Sequence, residues 1–145
     1  MVHALEEIKG LLRPDASLID IHPLREAPII EVHSAGRVVF AEPSPGYDYD
    51  DDLRHADDAL MWAVDRDLFV LDRSHEFDFV TYASSVVELR DFFAVVGAYD
   101  ESPRDQDTQV QVDELYAQVE AVMTSSGEKA KVSHRERARM TRLTQ

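Results

Sequence analysis

The run Leu18-Ile19-Asp20-Ile21-His22-Pro23-Leu24 constrains this chain more than any other stretch. It is short, nearly continuous in apolar residues and bounded by turn signals, which predicts a strand. On a strand, Asp20, His22 and Leu24 share one face with Leu18, and Ile19 and Ile21 take the other. A face holding both Leu18 and an Asp–His pair is not a plain solvent face. Pro23 should end the ladder. The elements that follow must pack on this strand or around it.

Before it, Leu5, Ile8 and Leu12 stand at helical spacing, with Ala4 and Leu11 widening the stripe over residues 3–12. Pro14-Asp15 stops that helix. Residues 28–33 and 37–42, joined by Ser34-Ala35-Gly36, form a hairpin pattern. A helix is expected over 51–67, with Leu53, Ala56, Leu60, Ala63 and Val64 as its core stripe and Met61 and Trp62 alongside. Residues 68–71 and 77–82 read either as one long strand with a polar middle or as a hairpin. Ser85 and Glu88 form a capping box for a helix ending at Val96, closed by Gly97. Another helix spans about 109–125, with Val112, Leu115, Val119 and Val122 inward. In the tail, Ala130, Val132, His134, Ala138 and Met140 alternate with Lys131, Ser133, Arg135, Arg137 and Arg139. Pattern alone leaves that tail open between strand and helix.

Composition then excludes whole classes. At 145 residues the chain reads as one domain, 1–145, without repeat or linker. It has no cysteine, so disulfides and thiolate metal sites are impossible, which fits a cytoplasmic protein. No apolar run reaches the ~20 residues of a membrane span, and the first residues lack the pattern of a secretory signal. Net charge is −14. Residues 128–145 hold Lys129, Lys131, Arg135, Arg137, Arg139 and Arg142 against Glu128 and Glu136, a balance of +4, which leaves −18 on the rest. So acidic a body repels phosphate backbones, so nucleic acid is not expected as a partner. The basic tail is expected to cross an acidic surface of its own chain or of a partner.

The segment from Ala4 to Pro23, an amphipathic helix, then Leu12-Arg13-Pro14, then the apolar strand, resembles the entry to the fifth strand of class I S-adenosylmethionine-dependent methyltransferases. Asp15-Ala16 stand where that family usually has two glycines. Phe77-Asp-Phe-Val-Thr-Tyr82 and the Ser85–Phe93 helix look like the sixth strand and its following helix, and 127–143 like the last strand. The resemblance implies an α/β fold: a small mixed β-sheet covered by helices, similar to the C-terminal part of a Rossmann-like methyltransferase. It also implies that the basic tail, 128–145, is the last strand. Only about sixteen residues precede Leu18, too few for the family's glycine-rich loop and ribose-binding acid, and no Gly-x-Gly turn occurs. No cofactor and no catalytic residue are therefore assigned. In the complete family fold a fourth strand flanks the fifth; here Leu18–Leu24 would be a bare, apolar edge. The expectation is a methyltransferase-like subunit, non-catalytic alone, that forms a homo-oligomer, foremost a homodimer, or completes a separate cofactor-binding subunit.

Several constellations compete with that reading. Asp20 and His22, with Glu31 and His33 on the next strand, are ligand types suited to zinc or iron. Alternate-position pairs on strands are common, so a hydrogen-bonded polar face without metal is expected. Asp48, Asp50, Asp51 and Asp52 lack the glycine and glutamate of a calcium loop and read as a helix cap. His75-Glu76 and Asp72-Arg73 read as a solvated bend rather than an acid–base pair. Ser84 and Ser85 lack nucleophile-elbow glycines and read as caps. The alternative function is small-molecule binding, or an enzyme, with a pocket between the sheet and helix 51–67 lined by His22, Tyr82 and Trp62. A third is a nucleic-acid adaptor acting through the tail.

Overall fold

The computed structural model describes residues 2–47, 50–96, 105–127 and 129–145. Gly97, Asp48 and most of the charged loop 100–108 lie outside the described residues. The described residues form α1 (Val2–Leu11), β1 (Ser17–Pro23), β2 (Ile29–Ser34), β3 (Arg37–Pro43), α2 (Asp50–Asp65), β4 (Val70–Ala83), α3 (Val86–Val96), α4 (Gln106–Ser126) and β5 (Lys131–Thr144). The chain is α/β. Its sheet runs β1-β5-β2-β3, with β4 pairing β5. The pairs β1·β5, β2·β5 and β2·β3 are all antiparallel. This corrects the expectation of a mixed sheet: the tail strand reverses direction against both β1 and β2, so neither needs a parallel neighbour.

Contacts cluster into two compact units. The first comprises Met1–Glu26, Asp48–Asp78 and Arg137–Gln145. Its core is Leu5, Ala59, Leu60, Ala63, Phe69 and Leu143, with Leu12, Leu18, Trp62, Val64 and Leu68 packed against it. The amphipathic stripes of α1 and α2 supply most of it, which is why those segments become helices here. Ala59 and Ala63 are buried on α2, while Ala56 is only half-buried and Met61 is half exposed.

The second unit comprises Ala27–Tyr47 and Phe79–Glu136. Its core is Ile30, Val32, Ala83, Val86, Leu89, Leu115, Val119, Ala130 and Val132. The hairpin turns through Ala35 and Gly36, both at positive φ (49° and 75°), as a two-residue turn matched to strand twist requires. Ser85 Oγ accepts from Glu88 N at 3.1 Å, and Glu88 accepts from Ser84 N at 2.7 Å. That exchange starts α3; the Ser84 hydroxyl also donates to the Glu88 carboxylate, and this bond, with the one from Ser84 N, holds the carboxyl below its ordinary range. On α3, Val86 and Leu89 are buried, while Phe92 and Val96 are exposed. α4 starts at Asp105, whose side chain accepts from Thr108 N at 2.9 Å.

Residues 68–71 and 77–82 are not a hairpin: β4 runs unbroken through the polar middle. Along β5, burial changes parity. Val132, His134 and Ala138 are buried, then Thr141 and Leu143, while Met140 is exposed. Ser133 is also buried, between Val132 and His134, so the single alternation read from the sequence does not describe the burial of this strand. Val132 serves the core of the second unit and Leu143 that of the first.

Candidate functional site

In the first unit, β1 is inverted relative to a simple amphipathic strand. Ile19 and Ile21 are 48% and 59% exposed, while His22 is buried. The inward face of β1 carries a polar cluster. His22 Nδ1 lies 2.6 Å from Asp20 Oδ2, and Nε2 lies 3.1 Å from Asp57 Oδ1 on α2. Arg139 of β5 sits opposite His22 in the ladder. Its guanidinium donates to Asp57 and comes within 3.2 Å of His22 Nε2. Two carboxylates thus share one imidazole and one guanidinium across the inward face. With Asp20 and Asp57 on the two nitrogens of His22 and Arg139 on Asp57, the cluster is an ion-pair and hydrogen-bond network. No group of three or more His, Cys, Asp or Glu positioned to hold a metal occurs among the described residues.

Replacing Asp57 with alanine should leave His22 Nε2 and Arg139 facing each other without a counter-ion. A loss of about 1–2 kcal/mol of stability is expected, read as a lower urea midpoint.

Glu31 and His33 meet in the second unit. His33 Nε2 is 2.9 Å from Ser133 Oγ and 3.3 Å from Glu31 Oε2. A catalytic triad places its carboxylate on the nitrogen away from the serine. Here both partners crowd one nitrogen, and Ser133 is fully buried, so no nucleophile is presented. Arg135 Nε donates to Glu31 Oε1 at 2.9 Å. His134 packs on Phe93 with ring centroids 4.5 Å apart, and burial pushes its pKa down to about 4.

The residues expected to line a pocket fall in different surroundings. Trp62 packs against the core of the first unit, with the Arg66 guanidinium 5.2 Å from its ring. Tyr82 is 57% exposed and makes an edge contact with His33. The α2 side of the first unit is filled by Ala59, Leu60, Ala63 and Phe69. A shallow, open depression of about 320 Å³ lies in the second unit between Ser84, Met123, Thr124, Gly127 and Ala130, and none of the expected lining residues borders it. Asp51 of the acidic run is paired with Arg54 at 2.6 Å, which holds its carboxyl below the usual range.

The basic tail crosses acids of its own chain. Arg135 pairs with Glu31, Arg137 with Glu26 and Glu76, Arg139 with Asp57, and Arg142 lies 3.6 Å from Asp72. His75, Glu76, Asp72 and Arg73 stand within β4 rather than in a bend.

The backbone of β1 completes the site. Leu24 N donates to Arg137 O at 2.7 Å, continuing the register that pairs Pro23 with Ala138. In an antiparallel ladder, hydrogen-bonded residues alternate. Leu18, Asp20, His22 and Leu24 therefore turn their N–H and C=O groups to β5. Ser17, Ile19, Ile21 and Pro23 turn theirs away, to the edge where the strand order ends. Pro23 sits where its missing N–H costs the ladder nothing. From the sequence, Arg139 stands out only as one of the basic residues of the tail, and Asp57 does not stand out. The available signal was an acid at position 57 inside the stripe Leu53–Leu60–Val64.

Among the described residues, no helix is long and apolar enough to cross a membrane. Compared with protein-family models, curated proteins and solved structures, the chain matches none.

Proposed function

We propose that this chain is an assembly subunit of methyltransferase-like architecture, without catalysis of its own, that accepts a strand from another chain along the outer edge of β1. The observation that carries the reading is the row of outward N–H and C=O groups on Ser17, Ile19 and Ile21, which have no strand partner among the described residues. An edge of this kind is a template for strand addition. The other edges carry protection. β3 has a register shift opposite Val32/His33 and ends in Glu42 and Pro43. β4 carries Asp72, Arg73, His75, Glu76 and Asp78. On β1 the two ionisable side chains are drawn inward by each other and by Asp57.

The likeness to a methyltransferase is supported by the pairing pattern. The segments likened to the fifth, sixth and last strands join through β5. A role for the tail in nucleic-acid binding is disfavoured, because its arginines are engaged by carboxylates. The absence of cysteine fits work in the cytoplasm.

Titration calorimetry with S-adenosylmethionine tests the non-catalytic part of the reading. No binding heat is expected up to millimolar ligand. Micromolar binding would show that the chain builds its own cofactor site and would overturn it.

A further inference from the structure

The β1 edge also says what kind of strand it accepts. Only Ser17, Ile19 and Ile21 offer both a donor and an acceptor outward, since Pro23 has no N–H. A long partner strand would run past Pro23 and leave its own groups unmatched. A residue opposite Ile19 lies beside exposed isoleucine, so a charged side chain there would lose water without gaining a counter-ion. The strand that fits is short, apolar at alternate positions and free of outward charge. β1 itself meets that description.

Resting on the strand-accepting reading, we propose that the occupant is a second copy of this chain, β1 pairing antiparallel with β1 about a twofold axis at Ile19. Three symmetric registers are available, and the side chains separate them. Centred on Asp20, the ladder sets two carboxylates directly opposite each other, which is repulsive. Centred on Ile21, it sets Ile19 against Pro23, and the Ile19 C=O finds no donor. Centred on Ile19, Ser17 meets Ile21 of the copy, Ile19 meets Ile19, and Asp20 faces Leu18. Every outward N–H and C=O from Ser17 to Ile21 is then matched. The exposed Ile19 side chains come together on one face, with Ile21 over Ser17 of the copy. The interface is isologous and closes at two chains.

Two features oppose the association and make it weak. One short strand pair buries less than the ~1,200 Å² of a stable interface. Each copy also carries a net charge of −14. Added salt screens that repulsion, so dimerisation should strengthen as ionic strength rises from about 0.05 to about 0.5 M.

Sedimentation velocity across concentration and salt is the test, with Ile19→Pro as the diagnostic variant. The Ile19 N–H is not used by β5, so the substitution spares the internal ladder while removing the donors at the axis. Dimerisation should weaken about tenfold or more. Ile19→Lys tests the same edge without altering the backbone and should weaken it similarly. Because the chain has no cysteine, single-cysteine variants report the register. Ile19→Cys should cross-link on oxidation, since Cα atoms in a hydrogen-bonded pair stand about 5.5 Å apart. Ile21→Cys should not. Cross-linking at Ile21 alone, or a dimer unaffected by either Ile19 substitution, would overturn the proposal. So would a strict monomer at the highest attainable concentration. In that last case amide exchange decides what else falls. Fast exchange at Ile19 and Ile21 leaves the strand-accepting reading standing with a different partner, and slow exchange there removes both.

Discussion

Arg135→Met is expected to destabilise the protein by about 3–5 kcal/mol, because it strips the counter-ion from a buried carboxylate. Glu31 is 7% exposed, and its Oε1 accepts from Arg135 at 2.9 Å. The remaining groups near it are weaker substitutes: His33 Nε2 at 3.3 Å and the Ser133 hydroxyl at 3.5 Å. Glu31→Leu in the wild-type background should cost less, since Arg135 is more exposed than Glu31 and can turn to water. In the double variant, Glu31→Leu with Arg135→Met, most of the loss should be recovered, as apolar replacement of a whole buried pair removes the desolvation cost of both ions. Denaturant midpoints of the three variants check this. A double variant no more stable than Arg135→Met alone would mean that the carboxylate is needed by its other neighbours.

Acidification supplies the second large effect. Burial beside Phe93 pushes the His134 pKa down to about 4 from an ordinary 6.5. The folded protein therefore refuses a proton that the unfolded chain accepts. Above pH 6.5 both states are neutral at this position and its contribution is complete. As pH falls from 6.5 towards 4, stability is lost at ~1.4 kcal/mol per pH unit, roughly 3 kcal/mol across the window. Glu136 acts in the opposite sense. Burial raises its pKa, so the folded state takes up that proton more readily and gains relative stability in acid. The comparison that isolates His134 is wild type against His134→Leu, measured by urea unfolding at pH 7 and pH 4.5. The variant should flatten the slope. An unchanged slope would place the acid sensitivity elsewhere.

Much of the local structure is legible in the sequence. The helix stripes, the Ser85–Glu88 cap and the Ala35-Gly36 turn each depend on residues a few positions apart. Leu18 beside Asp20 and His22 already marks that face of β1 as other than a plain solvent face. What the sequence hides is who meets that face. Asp57 lies 35 residues from His22 and Arg139 lies 117 away, and nothing local selects them. The tail is similar. Its alternation is visible, but Leu143 and Val132 join different cores, so one period cannot describe the strand. Glu31, embedded in Ile29-Ile30-Glu31-Val32, was legible as an acid in an apolar run. Its arginine partner, 104 residues on, was not.

Strand addition at β1 depends on one structural assertion: alternate residues of that strand have no strand partner among the described residues. Residue-resolved amide exchange at high dilution measures it directly. Asp20, His22 and Leu24 should exchange slowly, held by β5, while Ile19 and Ile21 exchange at rates near those of exposed backbone. Uniform protection from Leu18 to Leu24 in the dilute monomer would contradict the account, because the edge would already be filled.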